Sequence, residues 1–355
     1  MKSPFKLHQS AFILVLSFLF VSCGTDPKEP SGDEFTILVL NEGVWNMNNG
    51  SITAYNTSTN ERVADIYSSA NNGQQLGDLP NDILRYGSKV YVVVGTSNQI
   101  DVLDAQTCVS IKQISVTTSG TASQPRQIAC HNGKVYVCCF DGSVVKMDTA
   151  SLVIEAVAKA GRNPDGICVS NNKLYVSNSG GLDFPNYDTT VSVFDLGTFT
   201  KIKDIPVRLN PGQMKTDKNG NIYVVSNGNY NDISSCLQRI NSTTDEIEKV
   251  FEIEISGFDI YNELLYFYSQ DYASGSVAYQ ILDILTGSVA NTNFISGSSL
   301  PKTPNGISIH PSTGDIYIFD ALDYTSTGEV YCFDKNGNKK FQFEAGIIPK
   351  KAVFR

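Results

Sequence analysis

The side chains best suited to acid–base or metal chemistry are few in this sequence. Its histidines are His8, His131 and His310, and two histidines beyond the N-terminal segment cannot form a His-rich zinc or iron site. The chain contains no GxSxG, HExxH or phosphate-loop motif, so no activated nucleophile or phosphate cradle is recognisable. We therefore predict a protein that is not an enzyme and has no catalytic residues.

Loop oxygens are the next possible metal ligands. Asp183, Asn186 and Asp188 share one short segment, and Asp320 and Asp323 share another. Closely spaced carboxylate and amide oxygens can bind calcium. The same residue types are common turn formers without any ion, so calcium stays possible but is not predicted.

Aromatic and amide side chains are more informative. Aromatic residues in hydrophilic segments without a strand pattern are Trp45, Phe184, Tyr187, Tyr230, Tyr272 and Tyr324. Polar candidates for the same site are Asn41, Glu42, Asn81, Asp82, Asn98, Arg126, Gln127, Asp165, Asn178, Gln213, Asn227, Asp259, Asn305 and Asp320. Apolar rings beside amides suit a large neutral ligand that carries amides or hydroxyls. A corrinoid and a glycan both fit this description, and turn formation remains the alternative role for each single Asn or Asp.

A sequence repeat must position these residues. A proline followed three residues later by an apolar residue occurs at Pro80, Pro125, Pro164, Pro211, Pro304 and Pro349, with Ile255 in the place of a further proline. Apolar triplets centred on tyrosine follow, at Tyr91, Tyr136, Tyr175, Tyr223, Tyr266 and Tyr317. A third strand then ends in Asp or Asn, and a fourth apolar stretch leads to the next repeat. Four short strands in each repeat of about 45 residues predict the blades of a β-propeller.

The two ends of the chain predict how the ring closes. Residues 35–40 have the pattern of a second strand and residues 51–56 that of a third, so the first blade lacks its innermost strand. Residues 349–354 have the pattern of an innermost strand with no further strand after it. We predict an all-β, seven-bladed propeller over residues 35–355, with one four-stranded blade built from both termini.

The propeller topology assigns the candidate residues to a face. Loops before innermost strands and loops between second and third strands open onto one face, which we call the top. His131 and His310 follow innermost strands and belong to the opposite face, which argues against histidine chemistry at the top. A lactonase-like metal cluster would need Glu42 with Asn81, Asp165 or Asn305, so an enzymatic alternative depends on very few groups.

The N-terminal segment predicts export. Lys2 and Lys6 precede an apolar run over residues 11–21, which is too short to span a bilayer and fits a signal peptide. Small residues around Cys23 are typical of bacterial lipoproteins, in which this cysteine is lipidated. We predict a signal peptide over residues 1–22, a lipidated flexible tether over residues 23–34, and an outer-membrane protein facing the cell exterior.

Charge and cysteine content exclude other classes. The chain has 27 basic and 36 acidic residues, a net charge of −9 and no basic run, which argues against nucleic-acid binding. Of its 8 cysteines, those after Cys23 are odd in number and irregularly spaced. We therefore predict buried free thiols rather than a disulfide framework.

The lipoprotein signal at Cys23, the proline and tyrosine repeat, and the segment Leu40-Asn41-Glu42-Gly43 together resemble the YncE-like seven-bladed surface lipoproteins of Bacteroides-type bacteria, and within them the BtuG type. The resemblance covers residues 23–355. It implies a cell-surface protein that binds cobalamin and passes it to a TonB-dependent outer-membrane transporter. Related propellers differ in ligand, so a surface module for a glycan or a protein partner stays open, as does a lactonase- or quinoprotein-like enzyme.

Overall fold

A computed structural model of the protein describes Met1 and residues 36–118, 120–271, 274–295 and 300–355. The predicted signal peptide, Cys23, the tether and Tyr272 lie outside these residues. Across the described ranges, no helix is long and apolar enough to cross a membrane.

The described strands form seven four-stranded antiparallel sheets, which are the blades of a propeller. Blade 1 contains β1 (Ile37–Asn41), β2 (Ser51–Tyr55) and β3 (Arg62–Val63), and the helix α1 (Ile66–Ala70) follows it. Blade 2 contains β4 (Pro80–Tyr86), β5 (Lys89–Val94), β6 (Gln99–Asp104) and β7 (Ser110–Ser115), and the hairpin β8 (Thr117–Thr118) and β9 (Thr121–Ala122) follows it. Blade 3 contains β10 (Pro125–His131), β11 (Lys134–Cys139), β12 (Ser143–Asp148) and β13 (Ile154–Lys159).

The remaining blades repeat this order. Blade 4 contains β14 (Pro164–Ser170), β15 (Lys173–Asn178), β16 (Thr190–Asp195) and β17 (Thr200–Pro206). Blade 5 contains β18 (Pro211–Thr216), β19 (Ile222–Ser226), β20 (Cys236–Asn241) and β21 (Glu246–Phe251). Blade 6 contains β22 (Gly257–Tyr261), β23 (Leu264–Asp271), β24 (Ser276–Asp283) and β25 (Ser288–Asn291). Blade 7 contains β26 (Pro304–Ile309), β27 (Ile316–Asp320), β28 (Thr327–Phe333) and β29 (Lys339–Ile347), and β30 (Pro349–Phe354) completes blade 1.

Pairing of the two chain ends closes the ring. β30 runs antiparallel to β1, with Ile37 opposite Phe354 and Asn41 opposite Pro349. The innermost strands β4, β10, β14, β18, β22, β26 and β30 contact one another in a closed circle. The predicted propeller and its closure by both termini are confirmed.

The apolar core lies between neighbouring blades, and each pair of neighbours shares one cluster of buried side chains. Successive side chains of a strand point to opposite faces of the sheet. Val135 and Val137 therefore pack toward blade 2, while Tyr136 between them packs toward blade 4. The same alternation explains the other tyrosine-centred triplets, in which Tyr91, Tyr175, Tyr223, Tyr266 and Tyr317 fill the interface with the following blade.

Strand registers fix the two faces of the ring. Pro80 at the start of β4 lies opposite Val94 at the end of β5, and Val94 lies opposite Gln99 at the start of β6. The start of an innermost strand therefore shares the top face with the loop between the second and third strands. His131 pairs with Lys134 at the turn after β10, and His310 follows β26. Both histidines thus lie on the bottom face, as predicted.

The cysteines of the propeller behave as small apolar side chains. The seven in the described residues are free, and all are buried except Cys130, which is half-buried. Burial raises the pKa of Cys139 and of Cys168 to about 12, so these thiols stay protonated at neutral pH. The prediction of buried free thiols is confirmed.

The helix α1 and the hairpin β8–β9 are additions that the repeat does not predict. α1 begins after Asp65, whose carboxylate accepts a hydrogen bond from the Ser68 backbone N–H, as an N-cap does. The helix places Tyr67 beside Asp101 of β6, and the Tyr67 hydroxyl donates to Asp101 Oδ1 at 3.4 Å.

Asp101 gives the fold a pH-dependent stability. It is fully buried, and burial raises the pKa of its carboxyl above the ordinary value, against hydrogen bonds from Gln113, Gln99 and Tyr67. The folded state therefore binds this proton more tightly than the unfolded state, so the stabilising contribution is complete below the ordinary pKa and falls as the pH rises through the raised pKa.

The variant Asp101→Asn tests this linkage because it removes the charge. We expect its free energy of unfolding, relative to the wild type, to increase as the pH rises above about 4. Urea unfolding of both proteins at several pH values measures this difference. A difference that stays constant with pH would show that Asp101 does not titrate as proposed.

Candidate ligand-binding site

An open cavity lies along the central channel and reaches the top face. Its volume is about 490 Å³, which is within the usual range for ligand pockets. Residues along the innermost strands form most of its wall. The predicted site residues that line it are Asn81, Asp82, Arg126, Gln127, Asp165, Gln213, Asn227, Tyr230 and Asn305.

Arg126 connects three blades at the cavity wall. Its Nε and Nη2 donate to Asp165 Oδ1 at 2.9 and 2.8 Å, and its Nη1 donates to Asn81 Oδ1 at 2.6 Å. The guanidinium also lies over the Phe140 ring, 4.3 Å from its centroid. Burial lowers the pKa of Arg126, but Asp165 and the more distant Glu42 outweigh burial, so the pKa is raised. Arg126 is therefore a permanently charged, fixed part of the wall.

Glu42 is paired across the join between the first and last repeats. Lys350 Nζ donates to Glu42 Oε1 at 2.6 Å, and Asn305 Nδ2 donates to Glu42 Oε2 at 3.3 Å. A lactonase-like metal cluster would need Glu42 with Asn81, Asp165 or Asn305, and Glu42 and Asp165 are the carboxylates of this set. Instead, each of these carboxylates forms an ion pair with a cationic side chain.

A second layer of ion pairs lies deeper in the channel. Lys351 Nζ contacts Asp82 Oδ1 at 2.5 Å, and Lys215 Nζ contacts Asp259 Oδ1 at 2.9 Å. Each of the two carboxylates also accepts a backbone N–H from the following blade. Burial lowers the pKa of Lys215, but Asp259 and Asp82 outweigh burial and raise it. A second cavity, of about 400 Å³, lies at the bottom face; Lys215 and Lys351 line both cavities, whereas Asp259 lines the bottom one.

The sequence analysis did not predict the three lysines that pair with Glu42, Asp82 and Asp259. Lys350 and Lys351 directly follow Pro349, and Lys215 lies four residues after Pro211. A signal was present, because alignment of the repeats on their prolines places Lys350 and Lys351 where Asn81 and Asp82 stand in blade 2.

Several predicted binding residues are used by the fold itself. Asn41 and Asn178 end the second strands of blades 1 and 4 and are fully buried. Asn178 Nδ2 donates to the hydroxyls of Thr190 and Ser192 at 2.9 Å, and its Oδ1 accepts the Gly161 backbone N–H at 2.8 Å. Asn41 forms the corresponding buried network in blade 1. The structure therefore places both amides inside the blades.

Asp320, Gln213 and Asn98 are also bonded to backbone groups. Asp320 accepts three backbone N–H groups from residues 302, 303 and 322. Gln213 exchanges two hydrogen bonds with the backbone of Phe258 in the next blade. Asn98 donates to one loop carbonyl and accepts one loop N–H. Asp320 and Asn98 hold loops, which is the alternative role that the sequence left open for Asn and Asp, and Gln213 joins two blades.

Unused hydrogen-bonding capacity on the cavity wall is concentrated on blades 3 to 5. Among the described residues, no hydrogen bond involves the Gln127 amide group. Asn227 uses only Nδ2, which donates to a backbone carbonyl at 3.1 Å, and Asp165 pairs with Arg126 through Oδ1. Asn305, on blade 7, likewise uses only its Nδ2.

Aromatic rings from two neighbouring loops meet beside the cavity. Phe184 and Tyr187 pack edge to face with centroids 6.0 Å apart, and Tyr187 and Tyr230 do so at 6.2 Å. We call these three residues the aromatic cluster. Tyr230 also lines the cavity, and Phe184 and Tyr230 are 71% and 70% exposed. Contiguous exposed apolar surface is typical of interaction sites.

Arg162, which sequence reasoning also missed, fixes the loop 179–189 of the aromatic cluster. Its Nη1 donates to Asp183 Oδ2 at 2.5 Å, and its Nη2 donates to the Asn186 backbone oxygen at 2.9 Å. In the next loop, Tyr230 has a φ of 57°, which is uncommon for a bulky residue. The Arg162 bonds therefore tie the loop of Phe184 and Tyr187 to the segment before β14.

Trp45 and Tyr324 lie on the other side of the top face. They belong to the loops after β1 and β27, in blades 1 and 7, whereas the aromatic cluster belongs to blades 4 and 5. Both are exposed, and neither lines the cavity. The structure thus divides the predicted aromatic residues between two sides of the mouth.

Comparison with known proteins identifies the family of this chain. The model of a family described as a domain of unknown function, DUF5074, matches residues 36–354, which include every described strand. The chain belongs to the DUF5074 family. No curated protein matches it.

Solved structures similar to this DUF5074 propeller share its fold at low sequence identity. A Quinonprotein alcohol dehydrogenase-like protein from Bacteroides thetaiotaomicron has a TM-score of 0.67 and 17% identity, covering 91% of this chain and 78% of that one. The hydrazine synthase of Kuenenia stuttgartiensis has a TM-score of 0.61 and 18% identity, covering 72% and 76%. A computationally designed protein has a TM-score of 0.54 and 11% identity, covering 75% and 87%. Such similarity shows the fold and not the activity.

The loop oxygens considered for calcium have protein partners in this DUF5074 member. Asp183 and Asp188 contact Arg162 at 2.5 and 3.6 Å, and Asp323 accepts hydrogen bonds from two backbone N–H groups of its own loop. Within the described ranges, no group of three or more His, Cys, Asp or Glu side chains is placed to bind a metal ion together.

Proposed function

We propose that this propeller is an outer-membrane surface protein that captures a corrinoid on its top face and passes it to a TonB-dependent transporter. The observation that carries the proposal is the aromatic cluster at the mouth of an amide-lined cavity. A corrinoid combines a flat apolar macrocycle with a fringe of amides. Its face would pack on the rings and its edge would bond to the cavity amides.

The choice of a corrinoid over another neutral ligand rests on the resemblance to YncE-like and BtuG-type surface lipoproteins. A glycan or a protein partner would use the same rings and amides, so they form the alternative. A lactonase- or quinoprotein-like activity is weaker, because Glu42 and Asp165 are paired with Lys350 and Arg126.

The balanced charges of the channel predict binding that depends little on salt. The ion pairs around the axis are Glu42–Lys350, Asp165–Arg126, Asp82–Lys351 and Asp259–Lys215. A neutral corrinoid would therefore meet no uncompensated charge. We expect its Kd to change by less than about twofold between about 0.05 M and about 0.5 M NaCl. A steep loss of affinity with salt would indicate a charge-steered ligand instead.

Titration of the full chain, purified in mild detergent, with cyanocobalamin tests the proposal directly. Calorimetry or absorbance should show saturable binding of one ligand per chain at micromolar concentrations or below. His131→Ala and His310→Ala are controls on the bottom face, and we expect them to leave the Kd unchanged. Absence of binding by the wild type would overturn the corrinoid proposal and direct the search to neutral glycans and protein partners.

Surface display is a separate part of the proposal. The described chain enters the propeller at the bottom face, where Ile37 pairs with Phe354, and the aromatic cluster lies on the top face. Protease treatment of intact cells should then digest the propeller. A propeller that stays protected until the outer membrane is broken would lie in the periplasm, and surface capture would be wrong.

A further inference from the structure

We infer that the ligand lies off the propeller axis, over blades 3 to 5, with the aromatic cluster as its platform and Gln127, Asp165 and Asn227 as its hydrogen-bonding edge. This inference rests on the proposed function, because it specifies where the same ligand binds. It separates two groups of exposed aromatic residues that the sequence could not distinguish.

Tyr230 ties the aromatic cluster to the cavity. It lines the cavity and also packs against Tyr187, which packs against Phe184. The platform therefore continues without interruption from the channel mouth outward over blades 4 and 5. Leu182 and Ile233 on the same two loops are 65% and 46% exposed, and they extend the apolar surface that a ligand would cover.

The polar edge next to this platform presents mainly acceptors. Arg126 holds Asp165 through Oδ1, which leaves Oδ2 for a ligand. Asn227 is oriented by the bond from its Nδ2 to a backbone carbonyl, which leaves its Oδ1 as an acceptor. Gln127 can donate or accept. The edge therefore suits a ligand that carries amide N–H or hydroxyl donors beside a flat apolar face.

The opposite side of the mouth, in blades 1 and 7, offers a ligand fewer contacts. Glu42 is bonded to both Lys350 and Asn305, and Trp45 does not line the cavity. In the part of the chain that the structure describes, no other aromatic ring packs against Trp45. A ligand seated on Trp45 would thus lack an adjoining aromatic platform, although Asn305 on blade 7 has an unused Oδ1.

The platform is also preorganised, which lowers the entropic cost of binding. Arg162 holds the loop 179–189 through Asp183 and Asn186. The Asn229 side chain accepts the backbone N–H groups of Asn231 and Ile233, on either side of the tip of the next loop. Loops fixed by their own hydrogen bonds keep the rings in place before a ligand arrives.

Matched aromatic variants of the full chain test the inference. Tyr230 and Trp45 are 70% and 67% exposed, so Tyr230→Ala and Trp45→Ala remove rings of similar exposure from the two sides. We expect Tyr230→Ala to raise the Kd for cyanocobalamin about 30-fold or more, and Trp45→Ala to change it less than about twofold. Tyr230→Phe keeps the ring and should retain most of the affinity. Thermal melting of each variant confirms that it is folded.

The polar edge is tested by Gln127→Leu, which removes an amide without breaking a hydrogen bond of the described protein. We expect a Kd about 3- to 10-fold higher than that of the wild type. Loss of affinity in Trp45→Ala with none in Tyr230→Ala or Gln127→Leu would overturn the off-axis seat and leave the proposed function standing. A wild type that does not bind cyanocobalamin would overturn both.

Discussion

Deletion of residues 349–355 is expected to abolish the folded propeller. The deletion removes β30, which pairs with β1 and contacts the innermost strands β4 and β26 on either side. Ala352 and Val353 are lost from two interblade clusters, and β1 is left as an exposed sheet edge. Such losses are comparable with the about 5–15 kcal/mol by which a domain is usually stable. We expect no soluble protein with a cooperative melting transition.

A shorter deletion provides the control for this experiment. Removal of Arg355 alone leaves every residue of β30 in place, so the ring should still close and the variant should melt cooperatively. Circular dichroism during heating compares the two truncations with the full chain. If the chain without residues 349–355 melted like the wild type, closure by the terminal strands would not hold the ring together.

We expect the second large effect, a loss of stability, from substitution of Asn178, which the sequence suggested as a ligand contact. Its side chain is fully buried and makes three hydrogen bonds, to Thr190, Ser192 and Gly161. Asn178→Ala removes the acceptor of the Gly161 N–H and the amide that donates to Thr190 and Ser192, whose hydroxyls keep their bonds to Asp188 and Asp204. Unsatisfied buried polar groups are costly, so we expect the free energy of unfolding to fall by about 2 kcal/mol or more.

Asn231→Ala is the matched control, because Asn231 is exposed on the neighbouring top-face loop. We expect it to change the free energy of unfolding by less than about 0.5 kcal/mol. Urea unfolding measures both variants. An Asn178→Ala protein as stable as the wild type would show that the amide is not structural, and ligand contact would again be its best role.

The fold could be predicted from the sequence because the same physical pattern recurs in each repeat. Side chains that alternate along the second strand must fill two different interblade clusters, and this requirement produces the tyrosine-centred triplets. Blade 6 keeps the pattern although Ile255 replaces its proline. The Ile255 side chain is buried with Phe258 in the cluster between blades 5 and 6. α1 and the β8–β9 hairpin lie between repeats, where no periodic signal exists.

The site could be predicted only as a set of residue types. Asn178 is the last residue of β15 and is fully buried, whereas Asn227 directly follows β19 and lines the cavity. Pro164 pairs with Asn178 but Pro211 pairs with Ser226, so the two amides differ by one residue in the register of their blades, and successive side chains point in opposite directions. This register is visible only once the strands are paired. The aromatic cluster likewise joins loops of two blades, whose proximity follows from the ring and not from spacing along the chain.

A crystal structure of the full chain grown with cyanocobalamin tests the central claim most directly. The account predicts ligand density on the top face, over Tyr230 and Tyr187 and within hydrogen-bonding distance of Asp165 or Asn227. Trp45 should lie outside the contact. Density at the bottom cavity, or crystals that exclude cyanocobalamin at saturating concentration, would contradict the claim that the top face of this propeller captures a corrinoid.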